Sequence, residues 1–278
     1  MKHIYLNLKR FDVPKAYGGV NSLADISEWG SYIVRSTEEG LLGFANPEVE
    51  FVQFFPEAHL IHAADARRKG SPIRLGCQGV FGQDTQVGGI FGAMTTFLPA
   101  SAAAAMGCSH VLIGHCEERR GKEAVLKAAG VTDFSAVNVL LNQEIRAATA
   151  RGLRVLYCIG ETGEEQPRWE EVLSEQLTLG LKDIDTTLVT IGYEPVWSIG
   201  PGKEPAGREY IQNAARLIKK KTGGLDVVYG GGLKQDNAAM LASIPEINGG
   251  LIALTRFTGD FGFYPEEYLD IIRAYLGG

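Results

Sequence analysis

The chain has 278 residues, 45% hydrophobic and 22% charged, a balance that excludes disordered, collagen-like and coiled-coil proteins. Its 27 lysines and arginines against 33 aspartates and glutamates leave a net charge of −6, which argues against nucleic acid or an anionic membrane as the main partner. The 35 glycines follow no period and suggest many tight connections between short units.

The first apolar run, His3–Asn7, reads as a strand. Asn7, Lys9 and Arg10 fall where a signal peptide would need its apolar stretch, so a cytoplasmic protein is expected. No window of about 18 apolar residues occurs, so no membrane span is expected. Further strands are expected at Glu50–Phe54, Ile73–Gln78, Val111–His115, Arg154–Ile159, Leu188–Tyr193, Asp226–Tyr229 and Leu251–Leu254. Several are nearly continuous in Val, Ile, Leu and Tyr, the pattern of strands buried on both faces of a parallel sheet. Amphipathic stretches at Asn142–Arg151, Arg168–Thr178, Ala206–Lys221, Gln235–Ser243 and Pro265–Leu276 read as helices.

Strands alternating with helices over about 250 residues point to an α/β protein, a single (β/α)₈ barrel. A doubly wound sheet would need a glycine-rich turn after the first strand, where Asn7-Leu8-Lys9-Arg10-Phe11 stands instead. No composition break divides the chain, so residues 1–278 are expected to form one domain.

In such a barrel, chemistry belongs at the carboxyl ends of the strands. Asn7 and Lys9 end the first strand, His115 the fourth and Glu194 the sixth, so a cation, an imidazole and a carboxylate would meet at one mouth. Glu194 after a buried strand would be partly desolvated and a stronger base, or simply a salt-bridged rim residue. The segment Tyr193-Glu194-Pro195-Val196-Trp197-Ser198-Ile199-Gly200-Pro201-Gly202-Lys203 has the layout of a hinged lid with an apolar tip. His115 precedes residues able to start a helix, whose dipole would favour a neutral imidazole; alone, it would read as structural. Lys9 would steady an anion, although a surface lysine after a strand is commonplace. Gly230-Gly231-Gly232 could offer N–H groups to an anion, or only make a tight turn. Cys77, Cys108, Cys116 and Cys158 form no CxxC pair and no metal-ligand spacing with histidine, so no metal is expected; three read as buried thiols, and Cys116 reads as packing rather than as a nucleophile, since no second histidine is placed as its base. His3, His59, His62 and His110 read as structural, and Arg67-Arg68-Lys69 as a solvated helix end.

With these residues laid out, the chain resembles the triosephosphate isomerases over essentially its whole length. Asn7-Leu8-Lys9 is similar to the family's Asn-x-Lys, and Ile113-Gly114-His115-Cys116-Glu117 to its Gly-His-Ser-Glu stretch. Cys158-Ile159-Gly160-Glu161, the Tyr193–Lys203 lid and Tyr229-Gly230-Gly231 match further family motifs in order. The resemblance implies a TIM barrel, commonly a homodimer, that interconverts an aldose and a ketose phosphate in glycolysis and gluconeogenesis without metal or organic cofactor. It implies Glu194 as the proton shuttle, His115 as a neutral electrophile and Lys9 as the cation. By the same resemblance Asn7 helps hold the substrate and Gly200 brings an N–H to its phosphate.

The departures lie on the phosphate side. Gly232 stands where the family has Ser, and Leu254 and Thr255 fall in the places of its Gly-Gly pair, with Thr255 or Arg256 as replacement contacts. Gly92-Ala93-Met94-Thr95-Thr96-Phe97 replaces the family's partner-inserting loop, ending in Phe97 where the family has Glu, and Glu118 is an added acidic residue after His115. Triose-phosphate isomerisation is therefore the first expectation. Isomerisation of another small sugar phosphate, such as a tetrulose phosphate, is the second, and a non-catalytic sugar-phosphate-binding barrel the third.

Overall fold

The computed structural model describes every residue except Pro201, which belongs to the lid motif, and Gly278. Strands β1 (Lys2–Asn7), β2 (Val49–Phe55), β3 (Ile73–Cys77), β4 (His110–Ile113), β5 (Arg154–Ile159), β6 (Val189–Tyr193), β7 (Val227–Tyr229) and β8 (Gly249–Ile252) run parallel. They pair in sequence order, and β1 closes on β8 with Tyr5 opposite Leu251. Around them lie α1 (Trp29–Leu42), α2 (Leu60–Ala66), α3 (Ala100–Ala105), α4 (Cys116–Ala128) and α5 (Ser135–Ala150). The ring is completed by α6 (Trp169–Gly180), α7 (Arg208–Thr222), α8 (Ala238–Ala242) and α9 (Pro265–Leu276).

Apart from Arg74 of β3 and the half-buried first residues of β1, β2 and β5, both faces of the strands are buried, which explains the continuous apolar runs. Alternate residues fill the lumen, among them Tyr5, Val52, Phe54, Leu112, Leu156 and Cys158. The intervening ones, such as Ile4, Leu6, Phe51, Phe55, Ile113 and Ile191, pack outward against the helices. Below this plug, Glu50 is paired with His3 Nδ1 (3.0 Å), His110 Nε2 (3.2 Å) and the Tyr5 hydroxyl (3.1 Å). Asp226 takes the other His3 nitrogen at 2.9 Å, so the amino end is closed by a buried polar floor. His59 is likewise held by Asp12 at 3.1 Å, and exposed His62 by the Ser27 carbonyl at 3.0 Å. Cys77, Cys108 and Cys158 are buried, and Arg67 and Arg68 follow the end of α2.

β5 and α9 have their expected bounds. β8 starts and stops two residues earlier than Leu251–Leu254, because Gly249 and Gly250 carry no side-chain signal for a strand. That leaves Leu254 on a loop. His115 lies beyond β4 as the N-cap of α4, its ring accepting from the Glu117 N–H. α8 is shorter than Gln235–Ser243, because Asn237 folds back to bind the Lys234 N–H and the Gly232 carbonyl.

Candidate active site

At the carboxyl end of the barrel, Asn7, Lys9, His115, Glu194, Gly200, Gly232 and Leu254 all line one cavity of about 190 Å³. A larger hollow of about 680 Å³ lies between the 78–98 loop and helices α4 and α5. Three of its four charged residues, Glu118, Lys122 and Glu144, are paired with one another, whereas the sequence-predicted groups collect in the smaller one.

Lys9 is held in a left-handed backbone conformation, φ 43°, that a non-glycine residue adopts only when its surroundings enforce it. The enforcement is visible. Its N–H donates to Asn7 Oδ1 at 3.0 Å, and the Gln78 amide donates to its carbonyl at 3.0 Å. Asn7 thus positions Lys9 as well as lining the mouth, and Gln78 is a support that the strand pattern did not single out.

His115 Nδ1 accepts from the Glu117 N–H at 3.3 Å, which leaves the proton of the neutral ring on Nε2. Burial first, and then the Lys9 charge, push the ring pKa down to about 4, so it is uncharged near neutrality. Nε2 stands 3.5 Å from Glu194 Oε1.

Glu194 is 2% exposed, and burial pushes its carboxyl up to about 7. The Cys116 N–H, at the first turn of α4, donates to Oε2 at 2.9 Å and acts against that rise, as does Lys9. Two glycines make room for the residue. A Cβ on Gly230 would meet Glu194 Cγ at 2.6 Å, and one on Gly160 would meet the Glu194 carbonyl oxygen at 1.7 Å. The Cys158–Glu161 motif therefore has a steric meaning that only the neighbouring strand reveals.

The lid grows from a fixed stem. Buried Glu161 accepts from Trp197 Nε1 (2.7 Å), Tyr210 (3.0 Å) and Tyr193 (3.1 Å), and its carbonyl accepts from the Val196 N–H at 3.0 Å. Ile199 and Gly200 then reach the mouth, with Gly200 at φ 119° and Gly202 at φ 74°.

The phosphate side requires corrections. Ala253 and Leu254 line the mouth, not Leu254 and Thr255. Thr255 is turned into its own loop, where its hydroxyl accepts from the Tyr264 N–H at 2.8 Å and its N–H donates to the Gly262 carbonyl at 3.1 Å. Arg256 is also spent elsewhere, ion-paired with Glu267 and stacked 3.7 Å over Tyr264. A second cation besides Lys9 lines the cavity, Lys234, which the sequence reading missed; its Nζ lies 4.3 Å over the Phe257 ring. Its position two residues after Gly232 was the available signal. Among the described residues, the Gly232 and Leu254 N–H groups find no acceptor. Also among them, one group of side chains with the spacing to hold a metal ion occurs: His115, Cys116 and Glu194, with donor atoms within 4.8 Å of one another.

A family model described as "Triosephosphate isomerase" matches residues 32–274. The triosephosphate isomerase of Chlorobium phaeovibrioides is 34% identical over 218 residues, 74% of this chain and 77% of that one. That of Marinobacter nauticus is 33% identical over 248 residues, 85% of this chain and 88% of that one. Among solved structures, triosephosphate isomerase from Bartonella henselae superposes with a TM-score of 0.71 at 24% identity, covering 99% of this chain and 98% of that one. This last likeness speaks for the fold.

Proposed function

The chain belongs to the triosephosphate isomerase family and is an isomerase of that type; on that premise we propose that the mouth of its barrel interconverts dihydroxyacetone phosphate and D-glyceraldehyde 3-phosphate. The observation that carries the mechanism is the gathering of Lys9, His115 and Glu194 on one cavity, with Glu194 raised to about 7. A proton next to a carbonyl is a weak acid, so its removal needs a desolvated base and stabilisation of the oxygens that become negative.

Glu194 takes the proton from the carbon beside the carbonyl and returns it to the neighbouring carbon. His115, through Nε2–H, donates to the two oxygens of the enediolate while the Lys9 ammonium balances its charge. A neutral donor suits this step, because an imidazolium would protonate the intermediate too readily. Asn7 holds Lys9 and contacts the substrate. The lid from Val196 to Gly200 keeps water away from an intermediate that can otherwise eliminate its phosphate.

We assign the phosphate to the Gly200, Gly232 and Leu254 N–H groups with Lys234 as counter-ion. Thr255 has no part in this site. Four-carbon sugar phosphates are the second reading, favoured by one observation: Leu254, Lys234 and Phe257 line the phosphate side. Residues 1–278 act as one catalytic domain, working in the cytoplasm in glycolysis and gluconeogenesis. A homodimer is supported by the apolar tip of the 78–98 loop, where Val87 and Phe91 stand almost wholly in solvent. Phe97 stacks on Phe81 at 4.2 Å and braces the stem of that loop.

Turnover measured on triose phosphates beside four- and five-carbon sugar phosphates tests the assignment. Glu194→Gln is expected to lower the best rate by roughly 10² to 10⁴. A four-carbon substrate turned over much faster than the trioses would replace the first reading with the second.

A further inference from the structure

We propose that His115 Nε2, Cys116 Sγ and the Glu194 carboxylate form a site for a thiophilic divalent cation, zinc above all, whose binding shuts the catalytic centre. Cys116 Sγ lies 3.9 Å from His115 Nε2, and His115 Nε2 lies 3.5 Å from Glu194 Oε1. All three donors fall within 4.8 Å of one another. Tetrahedral zinc, with bonds of roughly 2.0–2.3 Å, places its ligand atoms roughly 3.3–3.6 Å apart. The set therefore needs to contract by no more than about 1.5 Å, and Glu194 reaches it from the end of β6 while the histidine and cysteine open α4.

The thiol decides which ion fits. A sulfur, an imidazole and a carboxylate are an ordinary zinc set, whereas a hydroxyl at position 116 would be a poor ligand beside them. His115 and Glu194 face the substrate cavity, which leaves a fourth position for water or a substrate oxygen. On binding, the Cys116 S–H bond breaks, its proton goes to solvent and a sulfur–metal bond forms. Thiolate and carboxylate then balance the two positive charges, while the Lys9 ammonium, which favours both anions, repels the incoming cation. A further cost falls on His115. To ligate through Nε2, the neutral ring must carry its proton on Nδ1 and give up the 3.3 Å bond from the Glu117 N–H. These costs make the site a reversible, inhibitory one rather than a resident cofactor site. Binding stands on geometry alone; inhibition rests on the isomerase reading, since the ion occupies the base and the electrophile together.

Cobalt(II) titrated into reduced, chelator-stripped protein tests the binding. One equivalent is expected to produce the near-ultraviolet thiolate-to-cobalt absorption, displaced by zinc, lost in Cys116→Ser and kept in Cys108→Ser. In the unaltered protein, zinc is expected to slow iodoacetamide labelling of Cys116, read by peptide mass spectrometry, by roughly tenfold or more. For inhibition, the zinc concentration that halves triose-phosphate turnover, each variant taken against its own zinc-free rate, is expected to rise by roughly tenfold or more in Cys116→Ser. An absorption that survives Cys116→Ser, no absorption in the unaltered protein, or labelling unmoved by zinc overturns the site. Zinc inhibition equal in both proteins overturns its effect on turnover. If triose phosphates are not turned over at all, the cobalt and labelling arms still decide the site, and the failure belongs to the isomerase reading.

Discussion

Glu194→Gln should make the protein more stable while disabling it. The native carboxyl is raised from 4.5 to about 7, chiefly by burial. Between those values the folded state holds the proton more tightly than the unfolded chain. The group's contribution to stability therefore falls as pH rises through that window and is least favourable above it. The gap between 4.5 and about 7 corresponds to about 3 kcal/mol of unfavourable burial once the carboxylate is charged. A glutamine fills the same volume, can keep its carbonyl on the Cys116 N–H and carries no charge. Guanidinium denaturation at fixed protein concentration is the assay. The variant is expected to gain about 3 kcal/mol at about pH 8, and only about 1 kcal/mol at about pH 5, where the wild-type carboxyl is largely protonated in the native state. A variant no more stable than wild type at about pH 8, or a gain of equal size at both pH values, would refute the claim that a desolvated charge sits at this position.

The same titration should appear in turnover. With the base ionising at about 7, kcat/KM should fall by roughly tenfold from about pH 8 to about pH 6, and a flat profile would remove Glu194 as the base. Lys234→Met should raise KM for the triose phosphate by roughly tenfold or more with a smaller change in kcat; an unchanged KM would show that the phosphate is held by main-chain groups alone. Gly230→Ala places a Cβ 2.6 Å from Glu194 Cγ and should lower kcat by roughly 10² with the circular dichroism of the fold retained; unaltered kcat would mean the base tolerates displacement. Phe91→Asp should shift the sedimentation of the protein from dimer to monomer, and a dimer that persists would place the interface elsewhere.

Most of the barrel was legible because strand and helix signals are local. A continuous apolar run such as Arg154–Ile159 is fixed by burial on both faces, and the apolar set of Pro265–Leu276 by the helical period. The short α3 and α8 and the glycine-led β8 carry little periodicity, so their bounds depend on neighbours. At the site, the residue types and their places after strands 1, 4 and 6 could be read directly, because barrel topology sends those strand ends to one mouth.

Which way side chains face on the loops, and what surrounds them, depends on the packing of distant segments. Thr255 leaves the mouth because Tyr264 and Gly262 satisfy its polar groups, Arg256 because Glu267 takes its charge, and Lys234 enters beside Phe257. Cys116 and Glu194 are 78 residues apart in the chain, yet the main-chain N–H of one donates to the carboxylate of the other. The sequence determined that a carboxylate, an imidazole and an ammonium would be present. Their protonation depends on desolvation and on charges brought near from distant segments, and those are properties of the folded packing.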